Sequence, residues 1–510
     1  MTSITIYDGL RTIGGNKIYV EENEEGLFLD FGLNFAKEGK FFQEYLKFRS
    51  SRGIYDLIKL GLLPKINVYR NSLIPSDLSI EKYSKLNIKA ILLSHAHYDH
   101  FGHIGFLKPR FPIITSPASM AILKGILDSS SSSPGLEVAY YSSKIFCDNS
   151  KAIKTDRTKN GGDICRDFYC TEEPSTELVS FMGKSLKTRT KLSKGNISPL
   201  GNFDSQFEIT PYVVSHSIYG ARAYKIKGET TIAYTGDFRF HGKYGDETRQ
   251  FFQSSKDASI LIIEGTRAAR EDNEESESDI FQNCLEIAEG ANDLIIADFA
   301  GRNFERLETF KKIADKIGRE LVITSKEAYL LNFLQTLEDI DIDMGEMMVY
   351  RNIKSSYRSH EKFLFNEEKE INIVDPYQIG KNPENYLLCF SFFDINRLLD
   401  IRPASGTYIY SSSEAFQEER EYDFLRLNNW LEHFNFDVHG FKIINRDGKL
   451  KPEFSDDLHA SGHASKSDLI WAIETIDPDV LIPVHTENQE WFSENFENFI
   501  SLEEGLTFHF

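Results

Sequence analysis

Residues 94–100 read SHAHYDH and follow the apolar run KAILL at 89–93. His95, His97, Asp99 and His100 thus fall within six residues, in a loop that leaves a buried strand. Such a loop can turn all four side chains toward one point. Imidazole and carboxylate are the donors that zinc and similar ions prefer. Four donors do not close two metal positions, so more are required at other strand ends. The sequence supplies them. His216 ends VVSH, Asp237 ends AYTGD, His485 ends LIPVH, and Asp30 ends FLD in FLDFG. Taken singly, each reads as an ordinary loop residue. Together with the His-rich loop they form one coherent set.

Outward from that loop, both flanks read as strand-rich. SITIY, NKIYVE and LFLDFG are short strands near the start, separated by turn residues such as Gly14, Gly15 and Asn16. FFQEYLKFRSSRGIYDLIKLG (41–61) has helical spacing. SPASMAILKGIL predicts a helix with Ser116 as N-cap and Pro117 at its first position. QFEITPYVV, ARAYKIKG, TTIAYTGD and SILIIEG are four further strands. From about 275 the pattern alternates helix and strand, which predicts β/α layering with a parallel sheet. No repeat of fixed period occurs.

Residues 128–200 differ from their surroundings. SSSSS at 129–133 reads as a flexible tract. Residues 144–194 hold eleven Lys and Arg against seven Asp and Glu, a net of +4 in a chain of net charge -20. KSLKTRTKLSKG (184–195) has five basic residues and no acid. It reads either as a solvated loop or as a basic arm for a phosphate backbone. If it is an arm, neutralising Lys184, Lys187, Arg189, Lys191 and Lys194 will flatten the salt dependence of polyanion binding. The log–log slope should fall by about 0.7 per lost contact to a single strand. An unchanged slope would leave only the solvated loop.

With 510 residues, 41% hydrophobic and 27% charged, the chain has globular composition and material for more than one domain. Its acidity excludes a protein that coats nucleic acid non-specifically, but not a cleft with bound cations and a basic rim. Cys147, Cys165, Cys170, Cys284 and Cys389 form no C-x-x-C pair, which suits free thiols in a reducing cytoplasm. The N-terminus lacks the basic start and apolar core of a signal peptide. No stretch reaches the ~20 apolar residues of a membrane span. A soluble, cytoplasmic protein without membrane attachment is expected.

These motifs carry a resemblance. HxHxDH, the His of VSHS and the Asp of TGD resemble the metallo-β-lactamase superfamily, as do the opening strands around GGN and FLDFG. The C-terminal half resembles a narrower group, the ribonuclease J-like β-CASP nucleases, through IIEGT, FAGRNFER, HASGHAS and PVHTE. The resemblance implies a four-layer αββα fold with an inserted β/α cap. Its parts would be 1–270 (with the insertion 128–200) and 406–510 for the catalytic domain, and 271–405 for the cap.

The resemblance also implies roles. His95, His97, His216 and Asp237 would hold one ion. Asp99, His100, His485 and the bridging Asp237 would hold a second. Asp30 would orient the ligand loop, and His459 would stand behind it. Asp99, His463 and Glu264 would be catalytic, with His463 protonating the leaving oxygen and Glu264 fixing its tautomer. Ser461, Gly462, Ser465, Arg302 and Asn303, near two helix starts, would meet substrate phosphates. The cofactors would be two divalent ions, zinc first and manganese second. The partner would be RNA, with single-stranded DNA second. The chain ends soon after PVHTE, without the further domain through which many bacterial ribonucleases J dimerise. That leaves a homodimer as an open alternative. Two rival readings are a hydrolase of a small ester or thioester, and a non-catalytic nucleic-acid-binding subunit. The cap elements and His463 speak against the first, and the complete ligand set against the second.

Overall fold

The computed structural model describes residues 1–43, 45–130, 133–147, 150–158, 162–186, 192–270, 276–337, 343–366, 371–412, 421–446 and 448–510. Ser131, Ser132, Lys187, Arg189, Lys191 and Ser413 lie outside them.

Two sheets stack face to face. The first has eight strands, in the order Ile197–Pro199, Phe168–Cys170, Ile113–Thr115, Ile88–Leu92, Glu25–Leu29, Lys17–Glu22, Ser3–Asp8 and Thr507–His509. The second has five, in the order Glu208–Val213, Arg222–Lys227, Thr231–Tyr234, Ile260–Glu264 and Val480–Val484. Side chains alternate faces along a strand. Ile4, Ile6, Ile18, Val20, Leu27 and Leu29 therefore point one way, against Tyr224, Ile226, Ile232, Tyr234, Ile260 and Ile262 of the other sheet. The back of the second sheet is covered by helices Gly245–Ser254, Lys466–Ile476 and Gln489–Asn495, through Phe251, Phe252, Ile473 and Phe492. Helices Tyr55–Leu60 and Pro117–Ser129 pack behind the first. This is the expected αββα order.

The cap is a seven-stranded parallel sheet, in the order Asn372–Val374, Met348–Tyr350, Glu320–Ile323, Tyr386–Cys389, Leu294–Asp298, Gly406–Tyr410 and Phe436–His439. Its end corrects the boundary expected at 405. Gly406–Tyr410 pairs along its whole length with Leu294–Asp298, and Phe436–His439 follows beside it. Ile280, Phe310 and Leu331, from cap helices, join the same core cluster as Met120 and Leu123 of Pro117–Ser129.

Local expectations hold with two exceptions. Ser116 caps its helix by accepting from Ser119 N. Among the described residues of 41–61, only Tyr55–Leu60 is α-helical, after a short 3₁₀ turn at Ser50–Arg52. The break falls at Gly53, where φ is +55° and a Cβ would lie 2.0 Å from Leu73 O, so only glycine fits. The region 128–200 is not all loop. Phe168–Cys170 pairs in parallel with Ile113–Thr115, and Ile197–Pro199 pairs in turn with Phe168–Cys170, so both extend the first sheet. No helix among the described residues is long and apolar enough to cross a membrane.

Candidate metal centre

Parallel strands deliver the site. Glu25–Leu29 runs beside Ile88–Leu92 in one sheet, and Thr231–Tyr234, Ile260–Glu264 and Val480–Val484 run together in the other. Asp30, the 95–100 loop, Asp237, Glu264 and His485 stand at or just past their C-terminal ends. His216 follows Glu208–Val213.

Asp237 Oδ2 is the hub. It lies 3.0 Å from His100 Nε2, 3.6 Å from His485 Nε2, 3.7 Å from His95 Nε2 and 3.9 Å from His216 Nε2. His97 Nδ1 lies 3.1 Å from both His95 Nε2 and His216 Nε2. His485 Nε2 lies 3.1 Å from Asp99 Oδ2. The donor atoms form two groups, His95 with His97 and His216, and Asp99 with His100, Asp237 and His485.

These residues fit resident ions. Asp237 Oδ1 is buried and takes no hydrogen bond from any described residue. Burial, helped by the neighbouring imidazoles, pushes His95 and His97 well below the usual range, and burial brings His216 to about 3. Their rings are neutral, with lone pairs turned inward. Burial opposes ionisation of Asp237 and Asp99. The surrounding imidazoles, His100 first, outweigh it and hold both carboxyls low. Neutral imidazole and ionised carboxylate are the forms that bind metal; His100, which burial would lower but Asp237 and Asp30 raise well above the usual range, would release its proton to an ion held there.

A second ring of contacts fixes the donors. Asp30 accepts from Ser94 N, Ser94 Oγ and His100 Nδ1, each at 2.7 Å, and from Tyr234 Oη at 2.5 Å. Ser94 Oγ is 3.0 Å from His95 Nδ1. His216 Nδ1 is 2.5 Å from the carbonyl of Gly462. Thr266 Oγ1 is 2.9 Å from His485 Nδ1. Sequence reasoning found Asp30 but missed Ser94, Tyr234 and Thr266, although Thr266 completes the IIEGT quoted for Glu264.

His463 stands beside the hub, its Nδ1 3.9 Å from Asp237 Oδ2 and 3.3 Å from Glu264 Oε1. Glu264 is buried and also accepts from Thr266 N and Ala464 N. Burial would lower His463, but Glu264 and Asp237 outweigh it and raise it. The His463 side chain keeps 21% of its surface open, against 1% for Glu264, so the imidazole is the member that can reach a substrate. Glu264, His463 and His485 form a third group of potential donors. His459 belongs to none of the three.

The residues expected at phosphates are partly engaged elsewhere. Asn303 Oδ1 caps helix Phe304–Ile317 by accepting from Arg306 N. Ser465 Oγ caps Lys466–Ile476 in a capping box with Asp468. Ser461 Oγ accepts from His463 N, and the Gly462 carbonyl faces His216. Arg302 stays at the mouth, its guanidinium 4.7 Å over the Tyr98 ring and its Nη1 3.3 Å from Ala96 O. Beyond Tyr98 and Arg302 opens a crevice of about 450 Å³ at the C-terminal ends of the cap strands, lined also by Lys326, Arg358 and Arg397.

Known proteins share this plan. Residues 56–129 match the metallo-β-lactamase superfamily model, and 449–501 match the Zn-dependent metallo-hydrolase RNA specificity domain. Fold and site together resemble those of the metal-dependent hydrolases of the metallo-β-lactamase superfamily. Within that class the chain is similar to the ribonuclease J-like, β-CASP proteins. It is 22% identical over 497 residues to ribonuclease J of Mycoplasma genitalium, covering 95% of this chain and 68% of that protein. It is 24% identical over 501 residues to ribonuclease J of Pyrococcus abyssi, covering 96% and 90%. A solved structure of a protein of unknown function from Enterococcus faecalis V583 superposes with TM-score 0.67 at 21% identity, covering 99% of both chains.

Proposed function

We propose that the protein is a ribonuclease that hydrolyses RNA phosphodiester bonds with two divalent ions, zinc first and manganese second. The observation that carries this reading is the single carboxylate oxygen of Asp237 set between two groups of nitrogen and oxygen donors. His95, His97, His216 and Asp237 would hold one ion, and Asp99, His100, His485 and Asp237 the other. Bound there, two ions would supply charge stabilisation for an in-line displacement at phosphorus. The chain's own residues do the rest. Asp30 keeps the His100 ring turned so that Nε2 faces Asp237. Glu264 holds the proton on His463 Nδ1 and steadies the imidazolium, leaving Nε2 to donate to the departing oxygen. Arg302, Lys326 and Arg358 give the crevice basic groups that phosphates can meet, beside the acids Glu327, Glu361 and Asp394, the last of them paired to Arg397. The five free cysteines suit a reducing cytoplasm.

The reading includes 5′-to-3′ exonuclease action with preference for a 5′-monophosphate. A closed seat for the terminal phosphate would place the next bond over the ions. The test compares a circular single-stranded RNA with its linear 5′-monophosphorylated form, on metal-loaded protein, with single-stranded DNA alongside. The linear RNA is expected to be degraded and the circle spared. Equal cleavage would leave an endonuclease, and no cleavage of any substrate would defeat the reading.

A further inference from the structure

One buried arginine ties the segments that carry Asp237, His216 and His463 to the cap. Arg239 lies two residues past Asp237 and is 0% exposed. Its backbone N donates to Ser215 O at 2.9 Å, and its Nε lies 3.4 Å from Ser215 Oγ, directly before His216. Its Nη1 donates to Ser461 O at 3.0 Å, directly before the Gly462 carbonyl that accepts from His216 and two residues before His463. The remaining bonds go to the cap. Nη1 donates to Glu277 Oε1 at 3.0 Å and Nη2 to Glu305 Oε2 at 2.8 Å. Both acids sit in the first turn of a cap helix, where the helix dipole favours negative charge.

A second arginine repeats the clamp from the cap side. Arg306 Nε donates to Glu277 Oε2 at 3.1 Å, and its Nη1 to Ser411 O at 2.7 Å and Leu458 O at 3.4 Å. Burial would raise the Glu277 carboxyl, but the two arginines outweigh it and hold it low. Glu277 is thus a fixed anion shared between them. The segment from Leu458 to Gly462 hangs from this pair by its carbonyls.

We propose that Arg239 is a positioning residue through which the docked cap sets the His216 ring and the loop that presents His463. The proposal rests on the two-ion reading above. A guanidinium fork suits it, because its planar donors reach carboxylates and carbonyls together, which an ammonium cannot do. The cap therefore does more than wall a channel. Only with Glu277 and Glu305 in place does Arg239 point its fork at Ser461.

The test uses the full chain with Arg239→Gln, Arg239→Lys and Gly462→Ala. A Cβ at Gly462 would sit 2.9 Å from Ser217 Oγ and 3.1 Å from His216 Cε1, so this variant disturbs the same link without touching the arginine. Zinc affinity is measured by competition with a chelator, the fold by circular dichroism, and kcat and KM on 5′-labelled RNA. Loss of an outer contact to a metal ligand weakens binding about 10–100-fold. That loss is expected at one of the two positions in Arg239→Gln and Gly462→Ala, with kcat reduced, KM unchanged, and partial recovery in Arg239→Lys. Unchanged zinc affinity in either folded variant overturns the proposal, as does a change in KM alone, which would make Arg239 an RNA contact. If Arg239→Gln does not fold, Gly462→Ala decides. Wild-type protein that binds zinc but cuts no RNA would defeat the nuclease reading alone, since the zinc titrations still decide this one.

Discussion

Replacing Asp237 with alanine is expected to empty both ion positions and to abolish hydrolysis. Five histidine nitrogens approach one of its oxygens within 3.9 Å, that of His463 among them, and its other oxygen is buried and takes no hydrogen bond from any described residue. The first group would keep three imidazoles, and the second two imidazoles and Asp99. Neither would keep the anion that offsets the charge between them. The variant would also remove the carboxylate that does most to hold the pKa of the buried His100 up. That ring would then lose its grip on the hub while still bonded to Asp30. Several kcal/mol of transition-state charge stabilisation, at about 1.4 kcal/mol per decade, correspond to a rate loss of roughly 10⁴-fold or more. Elemental analysis of purified protein reads the first expectation, and single-turnover cleavage the second. Full metal occupancy in Asp237→Ala would sink the ligand assignment, whatever the activity.

The donors were legible because each follows an apolar run without a gap. KAILL before SHAHYDH, TIAY before TGD and VLIPV before His485 place a polar residue where a buried strand ends, and that is a local signal. The contacts behind them are not local. Gly462 acts on His216 through a carbonyl, which every residue has, so no residue type marks the role. Arg239 reads as one more charged residue until Glu277 and Glu305 arrive from the cap. Asn303 and Ser465 read as phosphate contacts from their place before a helix, and Ser465 as an N-cap too; the side chains of both cap those helices. The cap boundary failed for a related reason. TYIYS was legible as a strand, but its sheet is set by pairing with Leu294–Asp298, far back in the chain. In 41–61 the helical period was present, and a glycine held at positive φ against Leu73 breaks it between Ser50–Arg52 and Tyr55–Leu60.

Replacing His463 with alanine separates proton transfer from metal binding. The ring adjoins the hub but is not part of either donor group around Asp237. Its Nδ1 faces Glu264 at 3.3 Å, and Thr266 Oγ1 lies 3.2 Å away. Removing it leaves Glu264 with two backbone donors, Thr266 N and Ala464 N, so the buried carboxylate is not stranded. It leaves His485 with its contact to Thr266. The metal content should therefore stay close to that of the wild type, and the fold should hold. The rate should fall by roughly 10²–10⁴-fold, the usual worth of general acid–base help. KM should change little, because the lost group acts on the leaving oxygen and not on the bound strand. An RNA carrying a better leaving group at the scissile bond should recover much of the rate in His463→Ala, since an oxygen that departs without a proton no longer needs one supplied. The third donor group, Glu264 with His463 and His485, sets the opposing case. If His463→Ala loses an ion and the better leaving group restores nothing, then His463 is itself a ligand, and the proton must come from another residue of the crevice.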